Sequence, residues 1–444
     1  MQELIYANAQ PAIATLDPVA PVPHLYALML RNIATDAWRF ADPNNPSQFS
    51  RPGCVIASPS YPLEDAAVNQ DYVYNWTRDA AFVAVELARV AAEGDVSAVH
   101  NLADWASFAE ACQLNAAAPS DRASWRIDAG ARDPWSQQSD GPALRIIAGQ
   151  QMLPLLDSDA TIITRRVIDR DLDYVLRAYR SSTTGLWEDH SGQSFFARSA
   201  HLRCLRELSG TEQAAARQSD VDKAMIWLEA ALAAHWDQAA GIYRSLIEGD
   251  APDGYDPNID IVFSAVYGTV DVLNPKLLST AGRLRAVWDD TSSTYYYPIN
   301  AADAARGIGP LLGRYPEDEY DGDTGDRYSG FGHPWPVSTA AFAELYYQVG
   351  TQLATPDLFA VDALNRTFYA QVGVDAGTSV ADARQLLLEA GDRMLRAVLF
   401  HSDHLELSEQ FDGTTGFEKS VHNLSWSYAA YLSAARSRSG AAAL

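Results

Sequence analysis

Apolar residues recur at i, i+3, i+4 and i+7 along most of this chain, and no series of alternating strands interrupts them. The pattern predicts helices over 23–38, 79–93, 96–114, 142–156, 160–180, 194–208, 214–234, 335–350, 356–373, 379–400 and 420–437, with two more near 259–270 and 275–289. The fold class is therefore all-α. Asp79 and Asp140 fall at or near helix starts, where a carboxylate can cap free backbone N–H groups. Between the helices run long stretches rich in Gly, Pro, Asp and aromatics, at 39–78, 115–139, 182–193, 236–258, 290–334 and 402–419. Loops of this length in a compact domain are usually functional. No Ser/Thr/Pro-rich linker separates a second module, so 1–444 reads as one domain with a loop-built site on one face.

Composition narrows the partners. With 57 acidic against 33 basic side chains, the formal charge is −24. That balance argues against nucleic acid or an anionic membrane surface and suits a neutral substrate. No apolar run reaches the ~18 residues of a membrane-spanning helix. Hydrophobic residues make up 48%, enough for a large core without disulfides or metal. Cys54, Cys112 and Cys204 lack CxxC spacing, and buried free thiols are expected. The first residues have neither the basic nor the apolar region of an intact signal peptide. A secreted or periplasmic location would require that a leader has been removed.

Five segments carry chemistry. LSEQFDG (407–413) holds Glu409 just before the aromatic run LSWSYAAYL (424–432), with Trp426. GLWEDHSGQSFF (185–196) holds Trp187, Glu188 and Asp189. Two acidic residues among aromatics suit glycosidic bond cleavage, in which one protonates the leaving oxygen and the other activates water. Sugar C–H faces stack on aromatic rings, and dry surroundings raise a carboxyl pKa. DYVYNWTRDAAF (71–82) adds Tyr72, Trp76, Arg78 and Asp79, although Asp79 alone would be an ordinary helix cap. PWSQQSDGPALR (134–145) adds Trp135 as a stacking surface, with Gln138 and Asp140 as polar contacts. GRYPEDEY (313–320) and GHPWPVSTAAFAEL (332–345) add Arg314 and Trp335; the plainer role for Arg314 is a structural bridge to Asp318.

In chain order the segments resemble the glucoamylases of glycoside hydrolase family 15, from VIASPS (55–60) to LSWSYAAYL. The resemblance implies an (α/α)6 barrel, six inner helices inside six outer ones, with long active-site loops at one end. It implies exo-hydrolysis of α-1,4-linked glucose from the non-reducing ends of starch and maltooligosaccharides. Inversion would release β-glucose, with no metal or cofactor and a monomeric enzyme. By position, Glu188 matches the general acid and Glu409 the general base. Arg78 and Asp79 match the pair that grips the terminal glucose, and Arg314 matches another arginine of that subsite. Tyr72 and Trp426 match aromatics around the reacting sugar, and Leu186 matches a backbone contact; Trp76, Trp187 and Trp335 are further substrate-binding candidates. Trp135 and Asp189 fall in the next subsite.

The chain departs from the family pattern in places. WSQQSDGPALR stands where the family often reads WGRPQxDGPALR, one residue shorter between Trp and Asp. Asp189 replaces a glutamate, residues 245–262 match loosely, and 321–332 reads as an insertion. Chain-length preference and α-1,6 activity stay open on these grounds. A starch-binding module is not seen. The alternatives are a related activity on dextran, isomaltooligosaccharides or trehalose, and a non-catalytic glycan-binding or regulatory barrel.

Overall fold

The periodic segments are of two kinds, some apolar all round and some apolar on one stripe, and these take different places. The computed structural model describes residues 13–59, 72–115, 121–132, 136–323, 330, 332–353 and 359–442. In chain order its helices are α1 (Val22–Leu30), α2 (Thr77–Ala92), α3 (Val96–Asn115), α4 (Asp140–Met152), α5 (Ser158–Ala178), α6 (Phe195–Leu208) and α7 (Gln218–Ala233). They continue with α8 (Asp260–Phe263), α9 (Pro275–Asp289), α10 (Pro298–Arg306), α11 (Pro336–Gln352), α12 (Arg366–Ala370), α13 (Val380–His401) and α14 (Ser425–Ala442). A π turn, Ser264–Gly268, extends α8.

Helices α2, α4, α6, α8, α11 and α14 each lie against the next, and α14 returns against α2 to close a ring. Around it, α1, α3, α5, α7, α9 and α13 cover α14, α2, α4, α6, α8 and α11 respectively. This is an (α/α)6 barrel. Burial follows the two rings. In α4, 11 of 13 residues are buried, and in α11, 14 of 17. Only 4 of 16 are buried in α7, the single stripe Val221, Ala224, Leu228 and Leu232. An inner helix meets neighbours on every side, whereas an outer one needs only one apolar face. Small residues let the inner helices approach: a Cβ on Gly141 would lie 2.9 Å from Thr77 Cγ2, where α4 starts beside α2.

Because the chain alternates between rings, the inner helices run the same way and begin at one end. Short antiparallel pairs brace the loops there, Asn75–Trp76 with Ser124–Trp125 and Gln410–Phe411 with Glu418–Lys419. Closure joins segments far apart in sequence. Asn32 Nδ2 donates to Asn423 O (2.7 Å) and Ser425 Oγ (2.9 Å), and Ser58 Oγ donates to His422 O (2.6 Å).

Several expected boundaries move. The helix expected over 23–38 ends at Leu30, because Asn32 turns away to make these closing bonds. That expected over 356–373 shortens to α12, with 354–358 outside the described residues. The last helix begins at Ser425 rather than 420, after the turn that returns from the hairpin at 410–419. Helix α10 lies inside the stretch read as the loop 290–334. All three cysteines are buried and unpaired. Among the described residues no helix is long and apolar enough to cross a membrane.

One buried ion pair fastens an outer helix to an inner one. Arg145 of α4 donates to both oxygens of Asp171 of α5, at 2.8 and 2.7 Å, and both side chains are almost wholly enclosed. Removing one partner strands a charge away from water, at a cost of ~3–5 kcal/mol. Asp171→Ala is therefore expected to lower unfolding stability by that amount in urea denaturation; a loss under ~1 kcal/mol would show that the pair does not secure α5.

Candidate active site

The starts of the inner helices and the loops before them build one site. Glu409 opens the hairpin in which Gln410 and Phe411 pair with Lys419 and Glu418. Its own N–H donates to Val421 O (2.9 Å), a register that brings Ser420 back beside it. Tyr72 OH donates to Glu409 Oε1 (2.9 Å), and Tyr320 OH (2.9 Å) and Ser420 Oγ donate to Oε2. Burial raises this carboxyl above its ordinary value, and the three hydroxyl donors and the Arg314 charge oppose that rise. Gln410 fixes the wall around it, accepting from Gly322 N (3.0 Å) and donating to Tyr320 O (3.1 Å). Lys419 ties the same wall down through Asp323 (2.8 Å) and Asp321 (3.3 Å).

Glu188 stands on a sharper turn. Its φ of 65° is left-handed, which costs a non-glycine residue about 1–2 kcal/mol. The turn is closed by its N–H to Gly185 O (3.1 Å). Trp76 Nε1 donates to Glu188 Oε1 (2.9 Å) and Ser136 Oγ donates to Oε2 (2.8 Å). The Tyr72 and Trp76 rings stack with centroids 5.5 Å apart. Each ring of this pair thus holds a different glutamate, Trp76 holding Glu188 and Tyr72 holding Glu409.

Beneath Glu188 lies Arg78, in the first turn of α2. Its Nη1 donates to Gln138 Oε1 (3.0 Å) and Leu186 O (2.9 Å). Nε faces Asp79 Oδ1 at 3.2 Å, Nη2 lies 3.6 Å from Glu188, and the guanidinium sits 4.6 Å over the Trp426 ring. Asp79 is therefore an ion-pair partner, not merely a helix cap. Burial lifts its carboxyl to about 6 against the pull of Arg78, with Glu188 and Glu409 pushing the same way as burial. Asp140, first residue of α4, is also lifted by burial to about 6, again opposed by Arg78. The Leu186 carbonyl also accepts from Gln138 Nε2 (3.3 Å), so both protein donors converge on it.

Aromatic rings form the floor. Trp187 lies 5.3 Å from Trp335 and 5.8 Å from Trp426, centroid to centroid. Phe82 and Phe263 flank Trp426 from below. Trp187 is pinned by Nε1 to Asn258 Oδ1 (3.0 Å). Arg314 sits 5.1 Å from each of Trp187, Tyr320 and Trp335. It makes the structural bridge to Asp318 through Nε (2.7 Å) and Nη2 (2.5 Å), and Nη1 carries no hydrogen bond among the described residues. Asp189 is exposed and accepts from Tyr255 OH (3.1 Å) and Tyr315 OH (2.6 Å). Trp135 lies outside the described residues.

The sequence reading named neither Tyr320 nor Ser420 nor Ser136, and it did not pick out Asn258. Tyr320 stands in the quoted GRYPEDEY, but its contact with Glu409 depends on the loop path. Ser420 needed the hairpin register, which apolar periodicity does not carry. Among the described residues no group of three or more His, Cys, Asp or Glu is arranged to hold a metal ion.

A family model described as glycosyl hydrolases family 15 matches residues 27–436. Glucoamylase 1 of Rhizopus oryzae is 28% identical over 413 residues, 84% of this chain but 65% of that protein, just under two thirds of its length. The probable glucoamylase of Schizosaccharomyces pombe is 25% identical over 432 residues, 91% of this chain and 88% of that one. Two solved structures share the fold. The family 15 glucoamylase from Hypocrea jecorina superposes with a TM-score of 0.77 at 24% identity, over 94% of this chain and 71% of that one. The glucoamylase from Saccharomycopsis fibuligera does so with 0.73 at 22% identity, over 97% of each.

Gly322 offers a local test of the site. A Cβ there would collide with the Ser420 side chain and stand 3.2 Å from Glu409 Oε2. Any reaction that relies on the placement of the Glu409 carboxylate should slow about 10²-fold in Gly322→Ala. The check is kcat set beside the melting curve: an unchanged curve with full kcat would show that this wall does not position Glu409.

Proposed function

The chain belongs to glycosyl hydrolases family 15, and from that premise we propose that it is an exo-acting, inverting glucan glycosidase. It releases β-D-glucose from the non-reducing ends of α-1,4-glucans such as maltooligosaccharides and starch. The observation that carries this reading is the unlike holding of two glutamates across the Tyr72–Trp76 stack. Glu188 serves as general acid. It gives its proton to the glycosidic oxygen as the C1–O bond breaks and the leaving sugar departs with the electron pair. Glu409 serves as general base and takes a proton from the water that attacks C1 from the opposite face.

The surroundings support these roles. Three hydroxyls aim at Glu409 and favour its ionised form, as a base requires. Arg78, Asp79 and Arg314 offer charged hydrogen-bonding groups to the hydroxyls of a terminal sugar. Trp187, Trp335 and Trp426 pack together beside these groups and would serve as the floor of a subsite for one chain-end sugar. Trp135 and Asp189 are proposed to bind the next sugar.

Proton NMR of maltotriose turnover tests the reading directly. Early β-glucose together with maltose is expected; early α-glucose would overturn inversion, and no turnover would overturn the substrate assignment. General acid–base groups contribute ~10²–10⁴-fold each, so Glu188→Gln and Glu409→Gln should each lose that much kcat on maltose while folding normally. Near-normal activity in either variant removes that residue from its role. The pH profile follows from burial. Glu409 must be ionised to act, and its carboxyl is raised above 4.5. Activity should therefore fall on acidification at a pH above that ordinary value. Tyr72→Phe removes a donor to the ionised form and should move this acid limb further up; a downward move would contradict the assignment of Glu409 as base.

A further inference from the structure

Ser136 stands in the segment WSQQS, where the chain is one residue shorter than the family pattern. It is half-buried, and its Oγ lies 2.8 Å from Glu188 Oε2. The opposite oxygen, Oε1, takes the Trp76 indole N–H at 2.9 Å. An indole nitrogen only donates. A protonated carboxyl oxygen accepts more weakly than a bare one, and Arg78 Nη2 also lies 3.6 Å from Oε1, so this side favours a bare Oε1 and places the transferable proton of Glu188 on Oε2. A serine hydroxyl, by contrast, can both donate and accept by rotating about its C–O bond. It can therefore stay bonded to Oε2 whether or not that oxygen carries the proton.

We propose that Ser136 is a positioning residue for the general acid: it fixes Oε2 as the proton-bearing oxygen and donates to it as proton transfer leaves negative charge there. The proposal rests on the assignment of Glu188 as general acid. In the reaction, the proton on Oε2 passes to the glycosidic oxygen and the C1–O pair goes to the leaving sugar. The Ser136 hydroxyl then faces a carboxylate oxygen instead of a neutral one. A hydrogen bond to a charged acceptor is the stronger of the two, so its gain is realised mainly after the proton has begun to move. That kind of differential stabilisation raises kcat more than it changes substrate binding. Ser136 also orients the carboxyl plane on a backbone turn that is itself strained at φ 65°, so the two side-chain bonds to Trp76 and Ser136 define where the proton is presented.

The test compares two substrates, maltose and α-D-glucosyl fluoride, in the full chain. Fluoride leaves with its electron pair and needs little help from an acid, whereas the maltose leaving group needs a proton. Ser136→Ala is expected to lower kcat on maltose about ten- to a hundred-fold, with KM nearly unchanged, and to leave glucosyl fluoride hydrolysis within about threefold. Ser136→Thr, which keeps the hydroxyl, should restore most of the maltose rate. Equal losses on both substrates, or a Thr variant as poor as Ala, would overturn the proposal and leave Ser136 a merely structural residue. Glu188→Gln separates the two levels of the argument. If it loses maltose but keeps fluoride while Ser136→Ala behaves as wild type, the acid assignment stands and the Ser136 proposal falls. If Glu188→Gln keeps maltose, the acid assignment itself falls, and the Ser136 proposal with it.

Discussion

A guanidinium taken out of water must be surrounded by acceptors, and around Arg78 that requirement organises the site. It sits in the first turn of α2, and its partners come from the segment leading into α4, from the 185–188 turn ahead of α6, and from Trp426 at the start of α14. Losing hydration costs such a cation several kcal/mol unless charges and hydrogen bonds answer it. Asp79, Glu188 and Asp140 supply the charges, and the Leu186 carbonyl and Gln138 supply the bonds. The 185–188 turn that carries the proposed acid is therefore held by the same cation.

The two glutamates differ in how they are kept. Glu409 is nearly enclosed and wrapped by hydroxyls on a hairpin whose strands carry it into the pocket wall. Glu188 lies on a turn, partly open, with one indole donor and one hydroxyl. Enclosure with several donors suits a group that must stay ionised yet remain basic. Partial openness with a switchable neighbour suits one that must give up a proton to a large leaving group. The starts of the inner helices face this end of the barrel, and their unpaired N–H groups lend partial positive charge. That helps a chain of net charge −24 to keep several carboxyl groups close together in one pocket.

Periodicity made the helices legible wherever one or more apolar faces had to be satisfied over several turns, although only the resemblance selected the barrel. Periodicity failed where tertiary bonds decide. Nothing in the periodicity ends α1 at Leu30; the amide of Asn32, claimed by Asn423 and Ser425, does. Helix α10 is short, nine residues, and its alanines gave too weak a stripe to stand out. In the site, Arg314 with Asp318 was readable because i, i+4 spacing on a turn makes a pair local. Ser420 and Tyr320 were not, since their distance from Glu409 is set by hairpin register and loop path rather than by any local pattern. Residue types pointed to acidic residues of these two segments among aromatics, and the resemblance alone assigned Glu188 as acid and Glu409 as base.

The bonds that close the barrel join residues more than 360 positions apart, from Asn32 and Ser58 to the stretch 422–425. Contacts of such separation are reached late, because the intervening loop must first lose its freedom. The proposed base, Glu409, lies shortly before that closing stretch and bonds beside it through its N–H to Val421 O, whereas Glu188 belongs to the first half of the chain. A partly folded molecule would then own the proposed acid and the arginine proposed to bind sugar, but not the proposed base. On the proposed roles, hydrolysis would require a sealed ring, and turnover would report its closure.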